Sequence, residues 1–272
     1  MKNGKNRALP AAILILVLIL LYAPILILAV YSFTDAANIG AGGSFSVANY
    51  VKLFTTEDLR AMIFGTLLLA LGSAILATLL GTAGAIGSFY SRKGTQTFFQ
   101  TVNQVPVVNA DVVTGFSICI LLVVVFGISK DTFLPLVLGH VTLSAPFVFL
   151  SVLPKLKQMD PALYEAALDL GATPGYALRK VILPQIFSGI VSGFALAVTL
   201  SLDDYFVATY TKPATFDTIS TYVVNATRGS QTEIKTALWA LSTLIFLVVL
   251  AIALGSNLRK QDGSGRKGER EA

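Results

Sequence analysis

Six long stretches of this chain carry almost no charge, and that constrains its fold more than any other feature. Residues 8–34, 61–91, 112–129, 181–202 and 236–258 contain no Asp, Glu, Lys, Arg or His, and 132–154 is interrupted only by His140. About 20 apolar residues in a helix cross a bilayer, so each stretch is long enough, or nearly so, to span one. Hydrophobic residues make up 54% of the chain and charged residues 13%, about half the charged share usual in a soluble domain. A water-soluble enzyme is excluded on these grounds. The expected architecture is all-α and polytopic, with six transmembrane helices near 9–31, 61–90, 104–128, 133–153, 185–209 and 236–256.

Lys2, Lys5 and Arg7 precede an apolar stretch from Leu9 to Val30. A secretory signal has a shorter apolar region of about 7–15 residues, so this segment reads as a retained first helix. With the N-terminus inside, the cytoplasmic segments hold Lys2, Lys5, Arg7, Arg92, Lys93, Lys155, Lys157, Arg179, Lys180, Arg259, Lys260, Arg266, Lys267 and Arg270. The outer segments hold Lys52, Arg60, Lys130, Lys212, Arg228 and Lys235, so 14 of 20 basic residues lie inside. The positive-inside rule then puts both termini in the cytoplasm. The net charge of +5 follows from this topology and does not imply a nucleic-acid partner. Residues 1–256 form the expected membrane domain, and the Gly- and charge-rich tail 257–272 is expected to be disordered.

The lone cysteine, Cys119, excludes an intrachain disulfide and a cysteine metal cluster, and a single histidine argues against any metal centre. No Gly-Lys-Ser/Thr phosphate loop occurs, so the chain cannot hydrolyse ATP itself and no cofactor is expected in it. In the fifth span Gly189, Gly193 and Ala197 recur every four residues and suit close helix packing. His140 is expected to be hydrogen-bonded inside the bundle.

The cytoplasmic stretch between the fourth and fifth spans reads KLKQMDPALYEAALDLGATPGYALRKVILP over residues 155–184. Asp160 is suited to cap a helix that Pro161 opens. Leu163, Ala166, Ala167 and Leu170 share its apolar face. Gly171 stops the helix in a left-handed turn, and Thr173-Pro174 starts a second one. The outcome is a compact helix–glycine–helix element at about 160–182.

Glu165-Ala166-Ala167, Gly171-Ala172 and Val181-Ile182-Leu183-Pro184 resemble the EAA loop of ABC importer permeases in spacing, residue type and position. The resemblance implies that Glu165, Ala166, Ala167, Gly171, Ala172 and Leu178 contact an ATPase, Leu178 standing where the family usually has an aromatic residue. Pro106, the segment Asp111-Val112-Val113-Thr114-Gly115, His140 with Pro146, and Ser201-Leu202-Asp203-Asp204 resemble spermidine/putrescine importer permeases, in particular the second permease subunit. That likeness implies a bacterial inner-membrane location, a second permease, two ATPase subunits that bind ATP, and an external substrate-binding protein. A permease for another cationic or small organic solute is the alternative, and an ion-coupled transporter a more distant one.

Two acidic sites are candidates for the substrate pathway. Asp111 is expected a turn or two inside the cytoplasmic end of the third helix, where an ionisable group is costly unless it faces a cavity. Asp203 and Asp204 are expected near the outer end of the fifth. Asp204 shares a face with Ser201, Ala197 and Gly193 and is favoured as the cavity carboxylate, with Asp203 a second contact. Tyr205 and Phe206 are placed to add cation–π attraction to an amine.

Overall fold

The computed structural model describes residues 8–36, 40, 42–160, 162–228 and 236–247. Its helices are α1 (Ala8–Ser32), α2 (Ala48–Thr55), α3 (Glu57–Phe89), α4 (Lys93–Val108), α5 (Asp111–Cys119), α6 (Leu134–Gln158), α7 (Ala162–Asp169), α8 (Pro174–Ala177), α9 (Leu183–Asp203), α10 (Phe206–Thr211) and α11 (Ile219–Arg228), with α12 at Thr236–Leu247. Two π-helical turns, Ile120–Val125 and Leu178–Ile182, prolong α5 and join α8 to α9. Four segments are long and apolar enough to cross a membrane: Pro10–Ser32, Glu57–Phe89, Leu134–Gln158 and Pro174–Asp203. The pair α4 and α5, bent by 104°, makes a fifth if it is one broken span. α12 begins the expected sixth, whose remainder lies outside the described residues, as does the tail 257–272.

The chain divides into two compact units. One comprises residues 1–60 and 225–272, the other Ala61–Val224. In the first, the turn after α1 is tied back by side chains. Asn49 donates to the carbonyls of Ser32 and Thr34, and Ser32 Oγ lies 2.9 Å from Tyr50 Oη. Phe33 stacks against Phe45 and Tyr50, and Tyr31 meets Trp239 edge-on. The Ser44 N–H and hydroxyl both donate to Asp35 and hold its carboxyl below the usual range.

The second unit is organised around α6 and α9. Small residues let the two helices touch: a Cβ on Gly189 would stand 2.9 Å from the Ser151 carbonyl, and one on Gly193 would stand 3.1 Å from Val148 Cα. Gly81 of α3 packs on the same stretch, with a Cβ only 2.7 Å from the Ala145 carbonyl. Val148, Val152, Leu156, Ile182, Ile186 and Ala197 fill the resulting core. The apolar residues turned outward from it, such as Leu68, Leu79 and Phe187, suit a hydrocarbon surround.

Two expected boundaries are corrected. The region 91–103, read as a short loop, is helix from Lys93 onward, so the third span does not begin near 104. Its Gln, Thr and Asn residues disguised it, although 94–110 also lacks charge. The fifth span, expected to reach 209, ends at Asp203, and α10 follows a break at Asp204 and Tyr205. An acid that captures the next backbone N–H groups favours starting a new helix over extending the old one.

Candidate functional site

Two places within the second unit concentrate the candidate residues. The first is the helix–glycine–helix element. Asp160 Oδ1 accepts from the Ala162 N–H at the start of α7, while Pro161 lies outside the described residues. Gly171 has φ +84°, and the Ala172 N–H reaches back 3.0 Å to the Ala167 carbonyl, closing the C-terminus as a Schellman turn. Thr173 Oγ1 accepts from Tyr176 N–H and starts α8. Ala167, Leu170, Gly171, Ala172, Thr173 and Tyr176 line an open depression of about 490 Å³.

The expected face of α7 points away from the bundle. Leu163 is 44% exposed and Leu170 89% exposed, while Tyr164 packs inward against Tyr90, ring centroids 5.3 Å apart. Glu165 and Ala166 are exposed, and Ala167 is half-buried. Leu178, taken as a docking residue from its place in the motif, packs instead on the buried core. It is half-buried at the start of the π turn over 178–182. The exposed aromatic beside it is Tyr176, two residues earlier and so on roughly the opposite side of the helix from Leu178.

The second place is the break between α9 and α10. Asp204 is buried, and its carboxylate accepts from the N–H groups of Val207 (3.1 Å) and Ala208 (2.7 Å). The Ser220 hydroxyl donates to its backbone carbonyl. His140 Nε2 stands 3.7 Å from Asp204 Oδ2, too far for a hydrogen bond, and its Nδ1 lies 2.8 Å from Ser201 Oγ. Ser201 in turn lies 3.2 Å from Ser73, so one polar chain links α3, α9 and α6. Val207 sits between two glycines: a Cβ on Gly115 or on Gly139 would approach it to 2.8 Å. Gly139 did not stand out in the sequence and Gly115 did so only as the end of the 111–115 segment, because nothing local marks the partner that each admits.

Asp203 is exposed, Tyr205 half-buried and Phe206 exposed, the last two rings 5.2 Å apart. Asp111 is the exposed first residue of α5 and lies near enough for its charge, like that of Asp203, to act on Asp204. α4 has already run along α6, with Asn103 donating to the Pro146 carbonyl, before the chain breaks and Asp111 begins the next helix. Among the described residues no group of three or more His, Cys, Asp or Glu side chains is arranged to hold a metal.

An all-α membrane protein with an exposed helix–glycine–helix element is the architecture of a transport permease. The chain matches, over residues 82–259, the family described as "Binding-protein-dependent transport system inner membrane component", and it belongs to that family. It is a permease subunit of an ABC importer, embedded in the inner membrane by several spans. The putrescine transport system permease protein PotI of Escherichia coli K12 is 33% identical over 86% of this chain and 84% of its own length. The spermidine/putrescine transport system permease protein PotC of the same strain is 30% identical, covering 89% and 90%. PotC of Haemophilus influenzae is 31% identical over 88% and 91%. In fold, the chain is similar to one from the crystal structure of a bacterial ABC transporter that imports the acidic polysaccharide alginate. The TM-score there is 0.73 at 21% identity, covering 93% of this chain and 94% of that one.

Proposed function

We propose that this subunit carries polyamines inward, putrescine or spermidine, by alternating access. The observation that carries the reading is the likeness to polyamine permeases over most of the chain, at 33% and 30% identity. Asp111 and Asp203, exposed together beside the α9–α10 break, suit a cation. Tyr205 and Phe206 border them and offer ring faces to an amine. Asp204 contributes as the anchor that fixes this break, since both of its oxygens hold backbone N–H groups.

The working assembly consists of this chain, a second permease, two ATPase subunits, an external binding protein and the bilayer. ATP is bound by the ATPase subunits; this chain is a transport subunit without an enzymatic site or cofactor of its own. Both termini are cytoplasmic, in keeping with the excess of basic residues in the segments on that side. The ATPase docks on Glu165, Ala166, Ala167, Gly171 and Ala172, with Leu170 and Tyr176 adding apolar contact at the depression. Closure of the ATPase dimer on ATP favours one of two permease conformations, and release favours the other.

The test is uptake of labelled putrescine and spermidine by cells that depend on this system, with ATP depleted while ion gradients are maintained. Uptake should cease on ATP depletion, and Asp203→Asn should reduce it while the complex still assembles. Transport of neither polyamine by the assembled wild-type complex would reject the substrate. Uptake that survives ATP depletion would indicate an ion-coupled carrier.

A further inference from the structure

α4 packs beside the middle of α6, a helix long and apolar enough to cross a membrane. Residues Phe99, Val102, Asn103 and Pro106 of α4 share one groove with Gly81 and Gly84 of α3 and with Val141–Phe149, the middle of α6. Sixteen residues of α-helix are about 24 Å long, most of a bilayer's hydrocarbon thickness. Yet α4 is not uniformly apolar. At 100° per residue its circumference divides into three edges. Phe99, Asn103 and Pro106 form the packed edge. Phe98 and Val105, 63% and 60% exposed, form an apolar one. The third carries Gln100, Gln104, Thr97 and Thr101.

Thr97 satisfies its own hydroxyl by donating to the Lys93 carbonyl at 3.0 Å. Gln100, Gln104 and Thr101 make no side-chain hydrogen bond among the described residues, and Gln104 and Thr101 are exposed. A primary amide moved from water into hydrocarbon without a partner costs several kcal/mol, so lipid is excluded as the neighbour of this edge. Toward the break where Asp111 opens α5 the same edge ends on Val108, 84% exposed, so the hydrogen-bonding strip is confined to residues 97–104.

We propose that the Gln100–Gln104–Thr101 edge of α4 is a wall of the water-filled translocation path. It rests on the permease reading and does not depend on which solute is carried. Amides and hydroxyls replace part of a solute's hydration without binding it as tightly as a charge would, which suits a stretch that cargo must cross and leave.

The test uses the complete transporter in membrane vesicles. With Cys119 replaced by Ser, single cysteines are placed at Gln104 and Gln100, and at Phe98 and Val105 as controls. The probe is a membrane-impermeant methanethiosulfonate. Q104C and Q100C should react at least about tenfold faster than F98C and V105C, because only a water-lined edge ionises a thiol and admits a charged reagent. In parallel, Gln104→Leu should cut uptake severalfold with assembly and basal ATP hydrolysis unchanged, and Gln104→Asn should restore most of it. Equal reactivity at both edges, or cysteines that are silent because the partner permease covers them, overturns the proposal. Reactive Q104C in a complex that carries no polyamine leaves the path in place and rejects the substrate. Polyamine uptake with a silent Q104C does the reverse.

Discussion

The helix–glycine–helix element and the α9–α10 break differ in how their needs are met. At the break, Asp204, Ser201, Ser73 and His140 are buried, and Asp204 is bonded within the chain. At the element, backbone groups are closed by Gly171 and Thr173, but Leu170 remains 89% exposed and Tyr176 58% exposed. One region keeps its polar groups bonded within the chain, except His140 Nε2, which is buried without a hydrogen-bond partner among the described residues. The other is locally complete and leaves its apolar surface for something else to cover. Rigid anchoring of a polar break inside a membrane and open apolar surface at its margin are what a machine moved by an external ATPase requires.

Truncating the internally bonded region should have the largest effect. Asp204→Ala leaves two buried N–H groups without acceptors and should destabilise the subunit by about 2–4 kcal/mol, seen as a lower melting temperature of the purified complex. Asp203→Ala, on an exposed carboxylate, should leave that melting temperature unchanged. A larger shift at Asp203 than at Asp204 would invert the comparison.

Next comes Gly171, whose φ of +84° disfavours a β-branched side chain even though a Cβ there meets nothing within 4 Å. Gly171→Val should cost about 1–2 kcal/mol of backbone strain and redirect α8. ATP hydrolysis and uptake measured together should become uncoupled. Normal coupled uptake by a stable variant would show that the turn does not set the docking geometry.

Leu178 and Leu170 sharpen the distinction between inward and outward apolar residues. Leu178→Ala should lower stability by about 1–2 kcal/mol, less than a fully buried leucine would. Leu170→Ala should fall within about 0.5 kcal/mol of wild type but weaken retention of the ATPase during purification. A modest effect is expected for Ser73→Ala, about 0.5–1.5 kcal/mol, since Ser201 keeps its bond to His140. A double substitution with Ser201→Ala should then be non-additive in the same melting assay.

The two regions were also unequally legible. The element is encoded within thirty consecutive residues, where the Asp160 cap, the Gly171 turn and the Thr173 start are each a local choice of the backbone. Its side-chain directions were less so: Leu178 packs on the core while Tyr176 stays outside, and the short α8 offers too few residues for a periodicity to show it. α4 escaped notice because glutamines and threonines resemble a loop until the helix beside them is known.

The sequence by itself determined the all-α membrane class, the existence of most spans, the helix–glycine–helix element and the small-residue face of α9. Each follows from local free energies: apolar transfer, capping and the conformational freedom of glycine. Only the tertiary structure decided that Asp204 is a buried anchor, that Asp111 lies beside it, and that Gly115 and Gly139 make room for Val207. Val207 lies 92 and 68 residues from those two glycines, and a pairing of that range leaves no periodicity to read.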